Sequence, residues 1–468
     1  MTTLRFHGSA AVLLLPLALF VAVTARLFIS EAAFDLTGLA AAGVLTLFSG
    51  SLLSKAPSEY WKAAVRGASS ELTGTVMLIL IASGIFSAMM KASGVADGLV
   101  FLGGMLHLTG HAFTVFVLLA SSLMAAATGS SIGTLLAAMP IFFPAGVALG
   151  ADPAMLAGAV LSGAIFGDNL APVSDVTVIS SVTQRFRNGT PADIAGVVRT
   201  RLPYAMIALA VSLPVYAFMG ESEAALSGDA SALLMLVPVA VLIAVAVRTR
   251  DVLMAISAGV VTGTATGLLI GRLSFATIFA AVDGRLSGFL ISGISNVSPI
   301  ILLCVTLFAF TGIVREAGVP DMMAKALETG AAGRPSALRT ELFLSAATLV
   351  VTTLFAAVTS ASVALVGSLT DDIGRASNLH PYRRSHILSG LANSLPVLMP
   401  FSAFVLITMA AVSGLDGAAA VTPFTLMTAA FYPIALFLVF GFAVLTGTGR
   451  MMETSEPEAA EAKTATAL

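Results

Sequence analysis

Ten stretches of apolar residues, each near the length that crosses a lipid bilayer, divide this chain of 468 residues. A helix needs about 20 consecutive apolar residues to span the hydrocarbon core, because each residue adds only about 1.5 Å along the helix axis. The sequence therefore predicts an all-α polytopic membrane protein with about ten transmembrane helices. The predicted spans are 10–28, 36–53, 72–91, 156–181, 203–219, 232–247, 252–270, 289–314, 387–412 and 421–445.

The composition agrees with a membrane protein and excludes several other classes. Charged residues make up 10% of the chain and apolar residues 57%, whereas a soluble domain carries about a quarter charged residues. The formal net charge of −2 offers no basic field to a nucleic acid. The sequence has no P-loop, zinc motif or nucleophile elbow, so neither an enzyme activity nor a bound cofactor is expected.

Two further apolar segments, 112–148 and 340–374, are too long for one straight crossing. Each is interrupted near its middle by small polar residues, Thr128 to Ser131 in the first and Thr359 to Ser362 in the second. A polar turn at that depth predicts a re-entrant hairpin, since non-helical backbone is tolerated there only inside protein or beside water.

The distribution of charged loops supports the two hairpins and sets an orientation. If both segments are hairpins, the arginine- and lysine-rich loops all fall on one side and the acidic loops on the other. The positive-inside rule makes the first side cytoplasmic, with both termini there, in a bacterial inner membrane. The basic loops contain Lys55, Lys62, Arg66, Arg185, Arg187, Arg199, Arg201, Arg248, Arg250, Arg375, Arg383 and Arg384, and the acidic loops Glu31, Asp35, Glu221, Glu223 and Asp229.

The two halves of the chain share an order of features. Residues 1–220 and residues 231–447 each contain five predicted spans and one predicted hairpin. In each half the hairpin is followed by a helix that Asn and Pro interrupt, at 156–181 in the first half and at 387–412 in the second. Because five is an odd number of crossings, the second half enters the membrane from the side opposite to the first, and the sequence predicts an inverted-topology repeat. Transporters with such a repeat bind substrate near the midplane of the membrane, between discontinuous helices. Residues 448–468 read as a disordered cytoplasmic tail.

The first broken helix carries the strongest candidate site. Gly167 and Pro172 should interrupt it, and Asp168 and Asp175 lie on either side of the interruption. A charge in mid-membrane costs at least about 2.5–3.5 kcal/mol by insertion scales and therefore indicates function. Oxygen ligands suit a hard cation such as Na⁺, and a carboxylate there can exchange a proton for that cation. The candidate Na⁺ and proton ligands are Asp168, Asn169, Ser174, Asp175, Thr177, Thr128, Ser130 and Ser131.

Alternatives remain open at this site and at its counterpart in the second half. One aspartate could cap a half-helix while the other pairs with a partner elsewhere. The second half offers neutral oxygens that either form a second ion or solute site or only satisfy unwound backbone. Asp371 and Asp372, beside the arginine loop, are expected to pair at the surface. The neutral residues are Thr359, Ser360, Ser362, Asn393, Ser394 and Ser402.

The sequence around Gly167 to Thr177, GDNLAPVSDVT, resembles the signature of the NhaC-type Na⁺/H⁺ antiporters, and Ala127 to Thr134, ATGSSIGT, is similar to a second conserved stretch of that family. The resemblance implies that Asp168 and Asp175 are the cation and proton residues. Broader relatives with paired hairpins imply an elevator-like motion against a dimeric scaffold. Asn169 replaces the family's lysine and Ala171 its serine, which changes the charge of the site by one.

The sequence is therefore compatible with two functions. The first is Na⁺/H⁺ antiport with Asp168 and Asp175 as titrating ligands, and the second is Na⁺- or H⁺-coupled transport of a small organic solute. No lysine or arginine is predicted in mid-membrane to hold a carboxylate, which favours the first function or a cationic or neutral solute. A channel or a non-transporting scaffold fits less well, because an inverted repeat serves alternating access.

Overall fold

Most of the described chain is helical. The computed structural model describes residues 4–8, 10–27, 36–219, 228–282, 284–319 and 336–453. In the first half the helices are α1 (Leu14–Ala25), α2 (Leu36–Leu53), α3 (Pro57–Ala68), α4 (Glu71–Ser93), α5 (Val95–Met105), α6 (Gly110–Thr128), α7 (Ser131–Ala148), α8 (Pro153–Leu170), α9 (Asp175–Val182) and α10 (Ile194–Phe218).

The second half repeats the helical character, with one short antiparallel ribbon before its longest helix. The ribbon pairs β1 (Ala280–Val282) with β2 (Arg285–Ser287). The helices of the second half are α11 (Leu236–Thr249), α12 (Val252–Leu269), α13 (Phe275–Ile278), α14 (Phe289–Glu316), α15 (Ala337–Leu354), α16 (Thr359–Ala376), α17 (Pro381–Ala392), α18 (Ala403–Val412), α19 (Pro423–Ala429) and α20 (Phe431–Thr446).

The membrane-spanning character predicted from the sequence is confirmed. Within the described residues, nine helices are long and apolar enough to cross a bilayer, or up to eleven if two bent pairs each count as one span. One bent pair, α17 and α18, is the second predicted broken helix and turns by 52°. The other pair, α19 and α20, coincides with the predicted span at 421–445 and bends by 53° between its two helices.

Each predicted hairpin consists of two helices joined by a short turn. The first turn is at Gly129 and Ser130, as predicted, with Gly129 in the left-handed region at φ 70°. The second turn is not at Thr359 to Ser362, because those residues form the first turn of α16. The chain reverses instead at Phe355 to Val358, where Ala356 and Ala357 both have positive φ angles. Whether the hairpins re-enter the same face of the membrane stays a prediction, as do the two repeats.

Two of the arginine-rich loops, those with Arg185 and with Arg384, meet at one end of the molecule. Arg384 donates to the carbonyl oxygen of Arg185 at 2.6 Å, and the backbone N–H of Arg187 donates to Glu453 at 2.6 Å. Glu341, fully buried, accepts hydrogen bonds from both Arg383 and Arg450. The acidic residues Glu31, Asp35, Glu221 and Glu223, and residues 454–468 of the predicted tail, lie outside the described residues.

Asp371 belongs to this ionic cluster and corrects the expectation of a surface pair. It is only 7% exposed, and its Oδ1 accepts hydrogen bonds from the backbone N–H of Arg185 at 2.7 Å and from Nη1 of Arg384 at 3.0 Å. The next residue, Asp372, is exposed. The sequence pattern could not separate the two neighbours, because their burial depends on which face of α16 packs against the loop after α9.

We expect Asp371→Asn to destabilise the protein, because it leaves the buried Arg384 without its carboxylate partner. Removing one partner of a buried ion pair typically costs about 3–5 kcal/mol, which should lower the thermal unfolding midpoint in detergent by several degrees. Asp372→Asn is the matched control and should leave the midpoint unchanged. Equal midpoints for the two variants would contradict the assignment of Asp371 to a stabilising cluster.

Close packing around α8 depends on glycine. A Cβ added at Gly163 would lie 2.4 Å from the carbonyl oxygen of Leu118 on α6, and one at Gly167 would lie 2.2 Å from that of Ser122. The two helices therefore approach backbone to backbone, as small residues allow inside membranes. This contact fixes α8, and with it the buried residues near its C-terminal end, against the first hairpin.

Gly163→Ala is expected to destabilise the protein by about 1–3 kcal/mol, because the new methyl group would push α6 and α8 apart. At Gly441 on α20 a Cβ would meet nothing within 4 Å, so Gly441→Ala should stabilise its helix by about 0.5–1 kcal/mol through backbone entropy. Thermal unfolding of both purified variants in one detergent measures the difference. The same sign of change for both substitutions would contradict the packing argument.

Candidate functional site

The first predicted helix break is confirmed and is four residues long. α8 ends at Leu170, Ala171 and Ser174 have extended backbone angles, and helix resumes at Asp175. Pro172 explains the interruption, since it lacks an N–H and its ring clashes with the preceding turn. The break leaves backbone carbonyls near its edge without partners inside the helix, where they can bind a cation or a donor side chain.

The tip of the first hairpin rests on this break. A Cβ at Gly129 would lie 2.6 Å from the side chain of Val173 and 3.1 Å from the backbone nitrogen of Ser174. Only glycine therefore fits between the tip and the break, and it also has the left-handed φ angle that the turn requires. The contact places the hydroxyl groups that follow Gly129 beside the last turn of α8.

Asp168 is the buried carboxylate at this junction. Its side chain is on the last turn of α8, the residue is 4% exposed, and its Oδ2 accepts a hydrogen bond of 3.2 Å from the hydroxyl of Ser131. Ser174, on the far side of the break, also interacts with it. Within the described residues no cluster of three or more His, Cys, Asp or Glu side chains is suited to a resident metal ion.

The other predicted hydroxyl ligands are turned towards their own backbone or towards other groups. Thr128 donates to the carbonyl oxygen of Met124 at 2.9 Å, and Ser130 caps α7 by accepting from the N–H of Gly133 at 3.1 Å. Of the three tip hydroxyls, Ser131 is the one that contacts Asp168. Thr177 is fully buried, but its oxygen accepts a hydrogen bond from an arginine.

Asp175 and Asp168 have different environments. Asp175 is the first residue of α9 and is exposed, whereas Asp168 is buried. The two carboxylates are nevertheless close enough to interact electrostatically. The structure therefore brings Asp168, Ser131 and Ser174 together as one buried group, with Asp175 at its edge.

A buried arginine faces the break from α10 and corrects the expectation that mid-membrane positions lack lysine and arginine. Arg201 has no exposed surface. Its Nη1 donates to the backbone and side-chain oxygens of Asn169 at 2.8 and 3.2 Å and to the hydroxyl of Thr177 at 3.2 Å. Among the described residues, its Nε and Nη2 have no hydrogen-bond partner. The charges of Arg201 and Asp168 also interact.

The sequence prediction assigned Arg201 to a loop because it started the span at Pro203, whereas α10 begins at Ile194. The signal that could have found the earlier start is Asp193, whose carboxylate caps the helix by accepting from the N–H of Gly196. A hydrogen bond from Tyr382 and that backbone N–H together hold the pKa of Asp193 below its usual range. Arg201 is therefore about two turns inside a helix rather than in solvent.

The second break repeats the arrangement with neutral residues. α17 ends at Ala392, a 3-10 helix spans Leu395–Leu398, and α18 begins at Ala403, whose N–H donates to the carbonyl oxygen of Ala356 in the second hairpin turn at 2.8 Å. Each hairpin turn therefore contacts the break that follows it in the chain.

The neutral candidate residues of the second half divide into two groups. The hydroxyls of Ser394, Ser402 and Ser362 donate to the carbonyls of Leu391, Val397 and Val358, so they satisfy nearby backbone. Asn393 is different, because it is 1% exposed and neither its Oδ1 nor its Nδ2 has a hydrogen-bond partner among the described residues. Thr359 is buried and Ser360 half-buried.

The two breaks lie at a similar level along α9 and α17. The hydroxyl of Ser385 on α17 donates to that of Ser180 on α9 at 3.0 Å, and further along both helices Ala392 and Val176 belong to one hydrophobic cluster. From the first of these contacts to the second, the residue number rises along α17, from 385 to 392, and falls along α9, from 180 to 176. The two helices are therefore antiparallel. Asn393 therefore follows α17 near the level at which α9 begins with Asp175.

Comparison with protein families agrees with the resemblance found in the sequence. Residues 3–221 match the Na⁺/H⁺ antiporter family. A Na⁺/H⁺ antiporter NhaC of Alkalihalophilus pseudofirmus is 28% identical over 54% of this chain and 58% of its own length. A malate-2H⁺/Na⁺-lactate antiporter of Bacillus subtilis is 32% identical over 34% of this chain and 32% of its own length. The alignments thus cover less than two thirds of either relative.

Further matches extend the range of similar transporters. An arginine/ornithine antiporter of Halobacterium salinarum is 25% identical over 43% of this chain and 44% of its own length. Among solved structures, the YdaH transporter of Alcanivorax borkumensis aligns with 85% of this chain and 90% of its own, at 13% identity and a TM-score of 0.39. MtrF of Neisseria gonorrhoeae aligns with 82% of this chain and 83% of its own, at 12% identity and a TM-score of 0.38.

Proposed function

We propose that this multi-pass membrane protein, whose residues 3–221 match the Na⁺/H⁺ antiporter family, is a secondary transporter that exchanges Na⁺ for protons at Asp168. The supporting observation is a single buried carboxylate at the junction of a hairpin tip and a broken helix. The cost of burying a charge is large unless a partner or a proton offsets it, so Asp168 needs one or the other in every state of the transport cycle.

The chemistry of the junction suits a small hard cation. A cation bound here has the carboxylate of Asp168, the hydroxyls of Ser131 and Ser174, and backbone carbonyls of the break as oxygen ligands, which are the ligands that hard cations prefer. A proton neutralises the same carboxylate without needing the other oxygens. Na⁺ and H⁺ therefore compete for one group, and that competition couples their exchange when the site opens alternately to the two sides of the membrane.

The arrangement around the site fits alternating access, which we propose is elevator-like. Both hairpin turns contact a break, so each hairpin and its broken helix can move as one unit. We further propose a homodimer in a bacterial inner membrane, with both termini in the cytoplasm and with the arginine-rich end of the molecule facing the cytoplasm. Asp175, exposed at the edge of the break, would attract the cation before Asp168 binds it.

Proteoliposomes test the proposed exchange directly. The purified protein is reconstituted in vesicles with an acidic lumen and a pH-sensitive dye, and Na⁺, Li⁺ or K⁺ is added outside with no organic solute present. Na⁺ should raise the internal pH. Because Na⁺ and H⁺ compete, the apparent Na⁺ affinity should fall by about tenfold per pH unit for each competing proton once the site is protonated. Proton movement that requires an added metabolite would contradict Na⁺/H⁺ antiport.

A second function is favoured by one specific observation, the free edge of Arg201. Nε and Nη2 form the side of a guanidinium that binds a carboxylate through two parallel hydrogen bonds, and both lack partners among the described residues. The malate, lactate, arginine and ornithine in the names of the similar antiporters are all carboxylates. An exchanger of a small carboxylate solute, coupled to Na⁺ or H⁺, would therefore use Arg201 for the solute and Asp168 for the ion.

Counterflow separates this second function from the first. Vesicles are loaded with unlabelled malate, lactate or arginine, and uptake of the same labelled solute is followed with and without Na⁺. Accumulation of a labelled carboxylate that is lost in Arg201→Gln supports carboxylate exchange. Equal uptake in protein-free vesicles, together with Na⁺-evoked alkalinisation, leaves Na⁺/H⁺ antiport as the function.

A further inference from the structure

A cavity of about 570 Å³ opens on one end of the molecule. It lies among the last turn of α4, the first turns of α14, the short helix α13 and the segment that follows α18. Its side chains include hydroxyl and amide groups as well as one lysine, in a part of the chain that is otherwise strongly apolar. The polar lining residues are Ser87, Lys91, Thr277, Ser292, Asn296 and Ser413.

This end is opposite the arginine-rich end. α14 runs from Phe289 at the cavity to Glu316, which pairs with Arg66. α4 starts directly after the helix that carries Arg66 and ends at the cavity. The broken helix that starts in the arginine cluster likewise ends there, where Lys91 donates to the carbonyl oxygen of Gly414 at 2.7 Å. If the arginine-rich end is cytoplasmic, the cavity opens outward.

The cavity continues inward along the interface between two helix pairs. A second space of about 10 Å³, enough for about one water molecule, shares Ser87, Asn296 and Ser413 with the first and adds Ser83 and Leu136. One wall is formed by α4 and α14, and the other by α7 and α18. The hydroxyl of Ser83 donates to the carbonyl oxygen of Leu136 at 2.7 Å and closes the inner end.

The inner end is close to the site at Asp168. Leu136 is five residues after Ser131 on α7, which corresponds to about 7.5 Å along the helix. Asn296 lines both spaces, and its Nδ2 would lie 2.8 Å from a Cβ added at Gly414. Polar residues thus line a path from the open end of the cavity to Leu136, which is about one and a half turns of α7 from Ser131, whose hydroxyl contacts Asp168.

We propose that this cavity is the outer vestibule of the transport path, in which hydrated solute from the outer side gathers, and that Asn296 forms its inner constriction. The proposal rests on the proposed transport function, but the lining argues for water by itself. The hydroxyls of Ser292 and Thr277 donate to carbonyls of their own helices, but the amide of Asn296 would lose its hydrogen bonds if it faced lipid, whereas a water-filled space satisfies it. The vestibule also lies between two different helix pairs, so movement of one pair against the other would widen or close it.

Cysteine accessibility tests the vestibule. Cys304 is the one cysteine of the chain and is buried, so Cys304→Ala gives a background without thiols. Asn296→Cys and Ser413→Cys are then made singly and exposed, in right-side-out vesicles, to a membrane-impermeant cationic methanethiosulfonate. Ser298→Cys is the matched control, because Ser298 is exposed on the same helix but does not line the cavity.

Two readouts are followed, mass-detected modification and transport. We expect modification at positions 296 and 413 and not at 298, and at least a fivefold fall in transport after modification at 296. Absence of modification at both 296 and 413 overturns the proposal, and so does full modification of 296 with unchanged transport. If the unchanged protein does not exchange Na⁺ for H⁺, the proposed function fails, while modification in the thiol-free background still reports whether the vestibule is open to the outer side.

Discussion

Asp168→Asn is expected to abolish Na⁺-evoked proton movement in proteoliposomes. Asparagine preserves the size of the side chain and its hydrogen bond with Ser131, but it carries no charge for a cation and accepts no proton at physiological pH. Loss of one partner from a buried charge pair costs about 3–5 kcal/mol, which corresponds to a loss of about two to four orders of magnitude in cation affinity. The initial rate of internal alkalinisation, measured over a range of Na⁺ concentrations, gives the effect.

Two further carboxylates provide the comparison. Asp175 is exposed at the edge of the break, so Asp175→Asn should weaken apparent Na⁺ affinity by about tenfold rather than abolish exchange. Asp372→Asn removes an exposed carboxylate at the arginine-rich end and should leave exchange unchanged. A larger effect at Asp175 than at Asp168 would contradict the assignment of the buried carboxylate as the ion-binding group.

The helices and the first break were predictable because they depend on local sequence. Apolar runs of bilayer length specify the spans, and Pro172 close to Gly167 favours an interruption, although Pro140 and Pro144 lie inside α7 without ending it. Gly129 was predictable as part of a turn for the same reason, since glycine in a polar quartet between two apolar helices favours a reversal. The same reasoning placed both Asp168 and Asp175 on this helix, but only Asp168 is buried.

The second hairpin turn shows where local signals fail. Thr359, Ser360 and Ser362 have turn-forming character, yet they begin α16, and two alanines adopt the positive φ angles instead. Alanine gives no indication of a left-handed conformation in a sequence, because such angles are unfavourable for it. The contact between Ala356 and Ala403 is a tertiary interaction, and it joins parts of the chain that are about 50 residues apart.

The partners of charged groups were likewise beyond the sequence. Arg201 and Asn169 are 32 residues apart, and the side chain of Arg384 reaches back to the carbonyl of Arg185 across 199 residues. Hydropathy places a charged residue near a helix end in the loop, where it is usually exposed. In this fold the loops at the arginine-rich end pack into the protein, so several of their charges are buried and paired.

Arg201→Gln should separate the two proposed functions most sharply. Arg201 is a buried cation whose charge interacts with that of Asp168, and it occupies the surroundings of Asn169, where the resembling family has a lysine. If the protein exchanges Na⁺ for H⁺, removal of the positive charge should strengthen Na⁺ binding by about tenfold, because a nearby like charge no longer opposes the cation. The half-saturating Na⁺ concentration of the proteoliposome assay measures this change.

A second substitution tests whether charge, rather than helix capping, explains the effect of Arg201. In the Arg201→Gln background, Asn169→Lys returns one positive charge to the same surroundings and should bring the half-saturating Na⁺ concentration back towards that of the unchanged protein. A capping role alone would not be rescued by a lysine at 169, since the carbonyl of Asn169 that Arg201 contacts would still lack its donor. If Arg201→Gln instead leaves Na⁺ affinity unchanged and abolishes counterflow of a labelled carboxylate, Arg201 binds solute and the carboxylate exchanger is the correct function.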